Sequence, residues 1–328
     1  MAFQRLPESV HTLYAELLDQ VIQAEAEVAA LAAPQGSFVS KTIKGKTYWY
    51  LQRMEGNRKT QQYLGRESPS LLAWIEGARE ARERLAADAS QRARLCSMLV
   101  AGGATAESAT TVRVLSLIAQ AGVFRMGGIL VGTQAFSAYG NVLGVRFEQQ
   151  ALRTQDIDIG IDLSAEMEPL NESVSTSFKI RGRDLRVDFL TPLLGPDSEE
   201  PVFLPGLGVA AHPLRFLDYL IESPAQAAIV GLDGILVNVP DPARFAFHKL
   251  LISQRRPVSE QAKAAKDLRQ AGALIEVLLL DRPGDLPIAW EALRPSPAAV
   301  KAVRAAIGRL PAELKEELVR HLEGAAPA

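Results

Sequence analysis

Apolar and polar positions follow a helical period at both ends of the first hundred residues. Residues 8–32 carry apolar side chains three or four positions apart, with acidic residues between them. This spacing predicts an amphipathic helix. Residues 68–99 are dense in Ala, Leu, Glu and Arg and predict a second helix.

Between these helices the period changes to that of strands. Residues 37–64 alternate β-branched and aromatic side chains around two turn signals, Lys44-Gly45-Lys46 and Glu55-Gly56-Asn57. The pattern predicts a three-stranded meander. Its strands are expected at 37–43, 47–53 and 59–64.

Beyond Ala101-Gly102-Gly103, short strands alternate with helices. The strands are predicted at 129–131, 156–161, 175–180, 185–190, 226–231 and 235–239. Helices are predicted at 107–122 and 134–139, and Asp241-Pro242 indicates the start of a helical region. The fold class is therefore α+β, a mixed sheet flanked by helices. We expect an N-terminal module (1–100), a catalytic domain (101–240) and a C-terminal helical domain (241–328).

Composition excludes several classes of protein. The 328 residues are 48% hydrophobic and carry a net charge of −2, so any anion-binding site must come from local clustering. The single cysteine, Cys96, excludes a disulfide framework, and the four histidines are scattered. Neither a signal peptide nor a membrane-spanning run is recognisable, which predicts a cytoplasmic, bacterial-type protein without membrane contact.

The segment Thr154-Gln155-Asp156-Ile157-Asp158-Ile159-Gly160-Ile161 carries the first chemical signal. Along a strand, Asp156 and Asp158 lie on one face and the isoleucines on the other. Two such carboxylates repel unless a cation lies between them, and Mg²⁺ prefers oxygen ligands. The alternative is an exposed strand face with two solvated aspartates.

Two neighbouring segments strengthen the first interpretation. Arg186-Val187-Asp188-Phe189-Leu190 predicts a second strand with an aspartate on its polar face, a third ligand that also accepts a proton. The strand 127–131 leads into Gly132-Thr133 at a helix start, where backbone N–H groups favour phosphate. Gly128 or Gly132 could instead be a packing glycine.

Strand–Gly-Thr–helix, then Asp-x-Asp, then a later Asp resembles the DNA polymerase β-like nucleotidyltransferase superfamily. Over about residues 107–270 the chain looks most like bacterial nucleotidyltransferase-fold proteins of unassigned substrate, similar to AbiEii-type toxins. The resemblance implies two Mg²⁺ (or Mn²⁺) ions and transfer of a nucleoside monophosphate from an NTP to a hydroxyl. It assigns Gly132 and Thr133 to the triphosphate, and Asp156, Asp158 and Asp188 to catalysis and the metals.

The chain departs from the family pattern at two points. Thr133 stands where a serine is usual, and the 24-residue gap from Gly132 to Asp156 implies an inserted loop at 140–155. Cations for the nucleotide are available in Arg153 and in Lys249, on a helix whose lysine reaches the triphosphate in the look-alike proteins. The alternative for Lys249 is a solvated helix face. His248, one residue away, is expected to be structural or exposed.

Residues 36–66 form a basic, aromatic segment. Seven basic side chains stand against one acidic, Glu55, a local charge of +6. Cations pair with phosphates and aromatic rings stack on unpaired bases, which predicts contacts with RNA or DNA. The candidate contacts are Lys41, Lys44, Lys46, Tyr48, Tyr50, Arg58 and Lys59. The alternative is that the rings form a small core, and Trp49 is the ring expected to point inward.

Two functions remain open from the sequence. The first is a Mg²⁺-dependent nucleotidyltransferase whose acceptor is a nucleic acid, a protein or a small molecule. The second is a non-catalytic nucleic-acid-binding protein that retains the transferase fold. Bound metal between the aspartates in the presence of an NTP analogue would separate them.

Overall fold

The first hundred residues form two long helices with a three-stranded sheet between them. The computed structural model describes residues 3–31, 36–55, 58–148, 156–161, 176–179, 185–193, 195–196, 198–205 and 207–324. The first elements are β1 (Phe3–Arg5), α1 (Glu8–Leu31), β2 (Ser37–Ile43), β3 (Lys46–Glu55), β4 (Arg58–Arg66) and α2 (Pro69–Ala101). Both predicted helices and the meander are confirmed.

The meander is antiparallel in the order β2-β3-β4. Ile43 pairs with Lys46 across a two-residue turn in which Lys44 and Gly45 have φ of 51° and 71°. Positive φ at both positions suits the right-handed twist of a tight hairpin. The turn therefore fixes which residues of β2 and β3 share a face.

The middle of the chain contains a mixed sheet, two further strand pairings and several helices. The elements of this part of the chain are α3 (Ala109–Gln120), β5 (Ile129–Val131), α4 (Gly132–Val142), β6 (Val145–Phe147), β7 (Asp156–Gly160), β8 (Ser177–Lys179), β9 (Arg186–Pro192), β10 (Val202–Leu204), β11 (Val209–Leu214), α5 (Leu217–Ile221), β12 (Pro224–Ile229) and β13 (Ile235–Pro240). The largest sheet has the order β10-β11-β9-β7-β5, with β8 also paired to β9. Strand β7 runs parallel to β9 and antiparallel to β5.

The predicted inserted loop at 140–155 is wrong in its first part. Helix α4 continues to Val142, and β6 then pairs with β1 at the N-terminus. Strands β1 and β6 are more than 130 residues apart in the sequence, so no local periodicity indicates that they pair. Each has only three residues, which is too few to show an alternation of apolar and polar side chains. Residues 149–155 lie outside the described residues.

The C-terminal region is helical, as predicted from Asp241 onward. It comprises α6 (Pro242–Arg255), α7 (Gln261–Asp281), α8 (Asp285–Leu293), α9 (Pro297–Ile307) and α10 (Ala312–Gly324). The Asp241 carboxylate accepts hydrogen bonds from the backbone N–H groups of Ala243 and Arg244, both at 2.9 Å. It therefore caps α6 with Pro242 in the first turn.

Helix α6 is enclosed on most of its circumference. Its aromatic and aliphatic side chains Phe245, Phe247, Leu250 and Leu251 are fully buried. They join the main core, which the central sheet and helices α7 to α9 complete. A lysine on this helix therefore sits in a largely apolar environment.

Helices α1 and α2 pack on the β12–β13 hairpin through a second, smaller core. The buried Tyr14 hydroxyl accepts from the Ala228 N–H at 3.0 Å and donates to the Ala228 carbonyl at 3.2 Å. The Arg92 guanidinium of α2 donates to the Asp233 backbone carbonyl at 3.1 Å. The division of the chain at residue 101 stays a prediction.

The fold is thus α+β, with a mixed sheet flanked by helices, an N-terminal helix–meander–helix module and a helical C-terminal region. Among the described residues, no helix combines the length and the apolar character that crossing a membrane requires.

Candidate active site

Two neighbouring strands bring the predicted carboxylates to one face of the sheet. In β7, Ile157 and Ile159 are fully buried, while Asp156 is exposed and Asp158 is half-buried. The parallel register of β7 and β9 places Asp158 directly opposite Asp188. Opposite residues of parallel strands project to the same side, so the predicted sharing of one sheet face is confirmed.

Gly132 lies against Asp158 where β5 passes into α4. Val131 is the register partner of Asp158, and Gly132 follows it with a φ of +65°. A Cβ at this position would overlap the Oδ2 atom of Asp158. Glycine is therefore required here by both the backbone conformation and the close approach to Asp158. The close approach fits a packing glycine as well as a phosphate-binding one.

Thr133 follows in the first turn of α4 and is 8% exposed. The first N–H groups of a helix have no partner within the helix, and its dipole favours negative charge. The Gly132–Thr133 turn therefore lies next to Asp158 with the chemistry of an anion site.

These groups open into a cavity of about 370 Å³. Its polar lining comprises Asp158, Thr176, Asp188, His212, His248, Lys249 and Arg256, and Gly132 also lines it. Asp156 and Thr133 are not among its lining residues. The cavity therefore combines two carboxyl groups with a lysine and an arginine side chain, and its volume is within the size range of small-molecule sites.

Lys249 is buried in this wall and held by an ion pair. It is 7% exposed, and its Nζ donates to Oδ1 of Asp267, on α7, at 2.7 Å. Asp267 is 3% exposed and also accepts from Nε of Arg256 at 2.9 Å. The interpretation of Lys249 as part of a solvated helix face is wrong, because α7, α8 and α9 enclose α6.

Burial and, to a smaller extent, the neighbouring charges shift the pKa of two groups in the cavity. Burial, and then the neighbouring charge of Asp188, raise the pKa of Asp158 to about 6, while Lys249 acts in the opposite direction. Burial and the Lys249 cation lower the pKa of His248 to about 3, so this imidazole is neutral at pH 7. His248 is half-buried at the cavity wall and is not exposed.

The donor chemistry of the cavity fits a hard cation. Asp158 and Asp188 offer oxygen ligands side by side, the class that Mg²⁺ prefers, and the Gly132 backbone packs directly against one of them. In the described ranges, no group of three or more His, Cys, Asp or Glu side chains is close enough to hold a metal ion. The site residues therefore fit a cation by their chemistry, while the described part of the structure establishes no metal centre.

Sequence reasoning missed Thr176, His212 and Arg256 in the lining, and Asp267 behind it. Arg256 lines the cavity directly after the end of α6, seven residues beyond Lys249. The position of Asp267 beside Lys249 depends on the packing of α7 against α6, and no local sequence pattern indicates that packing. Its neighbour Lys266 is half-buried, and burial and the Lys249 cation lower its pKa, while Asp156 acts in the opposite direction.

The other predicted residues lie elsewhere. Arg153 falls outside the described residues. In the meander, Lys41, Lys44, Lys46 and Lys59 are exposed, Tyr48 and Tyr50 are half-buried, and Arg58 begins β4. None of these residues lines the cavity.

Trp49 is on the opposite face of the meander from Tyr48 and Tyr50, as expected. Its Nε1 donates to Glu67 at 3.1 Å, and Arg79 of α2 lies over its ring at 5.8 Å. Tyr48 and Tyr50 instead contact the ring of Tyr63, with centroids 6.3 and 5.5 Å apart.

Two family models match the chain. Residues 14–73, which include the meander, match a domain of unknown function, DUF6788. No curated protein and no solved structure gives a significant match. Residues 109–175 and 162–294 match a family described as nucleotidyltransferase. These segments cover more than half of the chain and include Gly132, Asp158, Asp188 and Lys249, and the chain therefore belongs to this nucleotidyltransferase family.

Proposed function

We propose that this chain transfers a nucleoside monophosphate from an NTP to a hydroxyl acceptor, within the polymerase β-like superfamily and near its AbiEii-type members. The observation that carries the proposal is the register pair Asp158–Asp188, packed against Gly132 and facing Lys249 in one cavity. Phosphoryl transfer needs positioned oxygens and neutralised charge, and these residue types supply both.

The triphosphate binds between the start of α4 and the two cations of the cavity, the buried Lys249 and the half-buried Arg256. Backbone N–H groups of Gly132 and Thr133 donate to its oxygens. The Lys249 ammonium has three N–H donors, and one of them bonds to Asp267, so the ammonium binds a phosphate oxygen without leaving its ion pair. Arg256 lines the same cavity and adds positive charge. Arg153 is a further candidate from the family resemblance.

In the transfer step the acceptor hydroxyl oxygen attacks the α-phosphorus. A new P–O bond forms as the bond to the bridging oxygen of the β-phosphate breaks, and pyrophosphate leaves with its electron pair. Asp188 accepts the hydroxyl proton, which then passes to water. Asp158 and Asp188 would hold Mg²⁺ or Mn²⁺, and the family resemblance adds Asp156, on the same face of β7, as a ligand for a pair of ions. Bound ions would supply charge neutralisation at the reacting oxygens.

The experiment uses NTPs labelled at the α-phosphate. The full chain is incubated with each of the four NTPs, Mg²⁺ or Mn²⁺, and in turn cellular RNA, cellular protein and a small-molecule extract. Label in an acceptor fraction together with released pyrophosphate is the expected result, and it also identifies the acceptor class.

Asp158→Asn tests whether the cavity performs the reaction. Asp88→Asn, an exposed aspartate on α2, is the matched control because it makes the same chemical change away from the cavity. Transfer should be lost only in Asp158→Asn. Equal transfer by both variants at saturating Mg²⁺ would overturn the catalytic assignment. Failure of the wild type to bind or turn over any NTP would favour a non-catalytic protein.

A further inference from the structure

The outer face of the meander does not contribute to the small core of the sheet. Its inner face packs on α2: the rings of Phe38 and Trp74 are 5.5 Å apart at 79°, and Leu51 is fully buried. Trp49 contacts Glu67 and Arg79 on the same side. The small core is therefore built from Phe38, Trp49 and Leu51, and the tyrosines of the sheet take no part in it.

The strand registers define the outer face, named here the tyrosine face. Tyr48 pairs with Lys41 and Arg66, and Tyr50 pairs with Val39 and Tyr63. By the same alternation, Lys46, Gln52, Lys59 and Gln61 also lie on this face. Four cations and three tyrosines thus share one side of the sheet, and none of these positions is acidic. Tyr63 is 56% exposed.

The rings are organised into a connected cluster. The Tyr63 ring lies 5.5 Å from that of Tyr50 and 6.3 Å from that of Tyr48, centroid to centroid. Lys41 Nζ lies 4.8 Å from the Tyr50 centroid and donates to Gln61 Oε1 at 2.5 Å. Gln61 in turn donates to Gln52 at 2.9 Å, so a polar row crosses all three strands beside the rings.

We propose that the tyrosine face binds single-stranded RNA, independently of the nucleotidyl transfer proposed for the cavity. Cations beside aromatic rings match a ligand that alternates phosphates with flat bases. The spacing of the rings exceeds the rise of about 3.4 Å per nucleotide along one strand of a duplex. An unpaired, extended strand can present successive bases to such rings, whereas a duplex keeps its bases stacked.

The polar row favours RNA over DNA. Amide and hydroxyl groups both donate and accept hydrogen bonds, and the 2′-hydroxyl of RNA does the same. Gln52, Gln61 and the tyrosine hydroxyls lie beside the rings on which bases would stack. Sheets with exposed aromatic residues read single-stranded RNA in this way, with two or three bases on the rings.

The test measures binding of a labelled 12-nucleotide single-stranded RNA to the full chain, without NTP or divalent cation. The first variant reverses three exposed cations of the face: Lys46→Glu, Lys59→Glu and Arg66→Glu. The control reverses three exposed cations on α9 and α10, which changes the net charge equally: Lys301→Glu, Lys315→Glu and Arg320→Glu. Only the first should weaken binding, by more than about tenfold, and make the salt slope shallower by about 2.

A second variant, Tyr63→Leu, separates stacking from charge and from folding. Leucine keeps the apolar bulk at an exposed position but removes the π face. Affinity should fall about 5- to 150-fold with an unchanged melting temperature, the range that corresponds to one stacked base. The Asp188→Asn variant should bind the RNA like the wild type, which distinguishes this proposal from the function of the cavity.

Three results would overturn the proposal. They are equal loss in the face variant and the control, unchanged affinity of Tyr63→Leu, and absence of salt-dependent RNA binding by the wild type. Tighter binding to a DNA strand of the same sequence, to duplex RNA or to vesicles containing an anionic lipid would also refute it in favour of that ligand.

Discussion

The cavity and the tyrosine face both gather cations, but they hold them in opposite settings. Lys249 is 7% exposed and is paired with a carboxylate that is itself 3% exposed. On the tyrosine face, Lys46, Lys59 and Arg66 are exposed to water. Burial strengthens each electrostatic interaction and fixes its geometry, whereas exposed charges are screened by solvent and salt.

Under the two proposals, this difference corresponds to two ways of binding phosphate. A buried, paired lysine positions one or two oxygens closely, as a reaction at phosphorus requires. An exposed row of cations binds an extended polyanion through the number of its contacts. The two regions should therefore respond differently to single substitutions, and the following predictions test that difference.

The largest effect is expected when a carboxylate is removed from the cavity. Asp188→Asn should lower kcat for nucleotidyl transfer about 10²- to 10⁴-fold, the usual contribution of a positioned proton acceptor. The variant Lys46→Glu, Lys59→Glu, Arg66→Glu should retain kcat with a mononucleotide-sized acceptor. The assay is release of pyrophosphate under saturating NTP. A loss of kcat in the charge-reversal variant as large as in Asp188→Asn would break the separation of the two regions.

The next effect concerns the buried ion pair. Asp267→Ala leaves the Lys249 ammonium buried without its carboxylate, and breaking such a pair costs about 3–5 kcal/mol of unfolding free energy. Glu291→Ala removes the exposed partner of Arg294, which lies 3.0 Å away, and should cost at most about 1 kcal/mol. Urea unfolding of both variants provides the measurement.

A double variant sharpens this result. Lys249→Met with Asp267→Leu replaces the pair by apolar side chains and should recover most of the lost stability. It should not recover NTP binding, because the cation is gone. Recovery of both properties would show that Lys249 serves the fold alone.

A smaller effect is expected when Asp158 is replaced by Asn: a pH-dependent change in the free energy of unfolding, measured in the absence of divalent cations. Its pKa of about 6 lies above the ordinary value of 3.8, so ionisation is harder in the folded protein than in the unfolded chain. Stability contributed by this group is therefore present at low pH and lost as the pH rises through about 6. Asn does not ionise. Relative to the wild type, Asp158→Asn should gain about 1–3 kcal/mol of unfolding free energy between pH 4.5 and pH 7.5.

Urea unfolding in a chelator at the two pH values measures this gain. Asp88→Asn is the control, since its carboxylate is exposed on α2 and should show no such change. An equal stability difference at both pH values would contradict the raised pKa of Asp158.

The sequence was sufficient for features with a local period. Alternation of Ile157 and Ile159 with Asp156 and Asp158 predicts the two faces of β7, and the structure confirms them. The Asp241-Pro242 cap and the meander follow from equally local signals. In each case the side chain and the backbone it organises lie within a few residues of each other.

Features set by distant packing could not be predicted in this way. The pairing of β1 with β6 and the burial of Lys249 both depend on segments far along the chain. From the sequence of α6 alone, Lys249 and His248 fit a solvated helix face as well as a buried one. Only the packing of α7, which brings Asp267 to Lys249, decides between the two interpretations.

The smallest effect expected is that of Tyr63→Ala in the meander, compared with Trp49→Ala on the other face of the same sheet. Trp49 is half-buried against α2 and donates to Glu67, so Trp49→Ala should cost about 2 kcal/mol of unfolding free energy, roughly half the value for a fully buried aromatic residue. Tyr63→Ala removes a ring that is 56% exposed and should change stability by no more than about 0.5 kcal/mol. Thermal unfolding of the full chain measures both. If Tyr63→Ala is more destabilising than Trp49→Ala, the tyrosines belong to the core of the sheet. The outer and inner faces would then not differ in their contribution to stability.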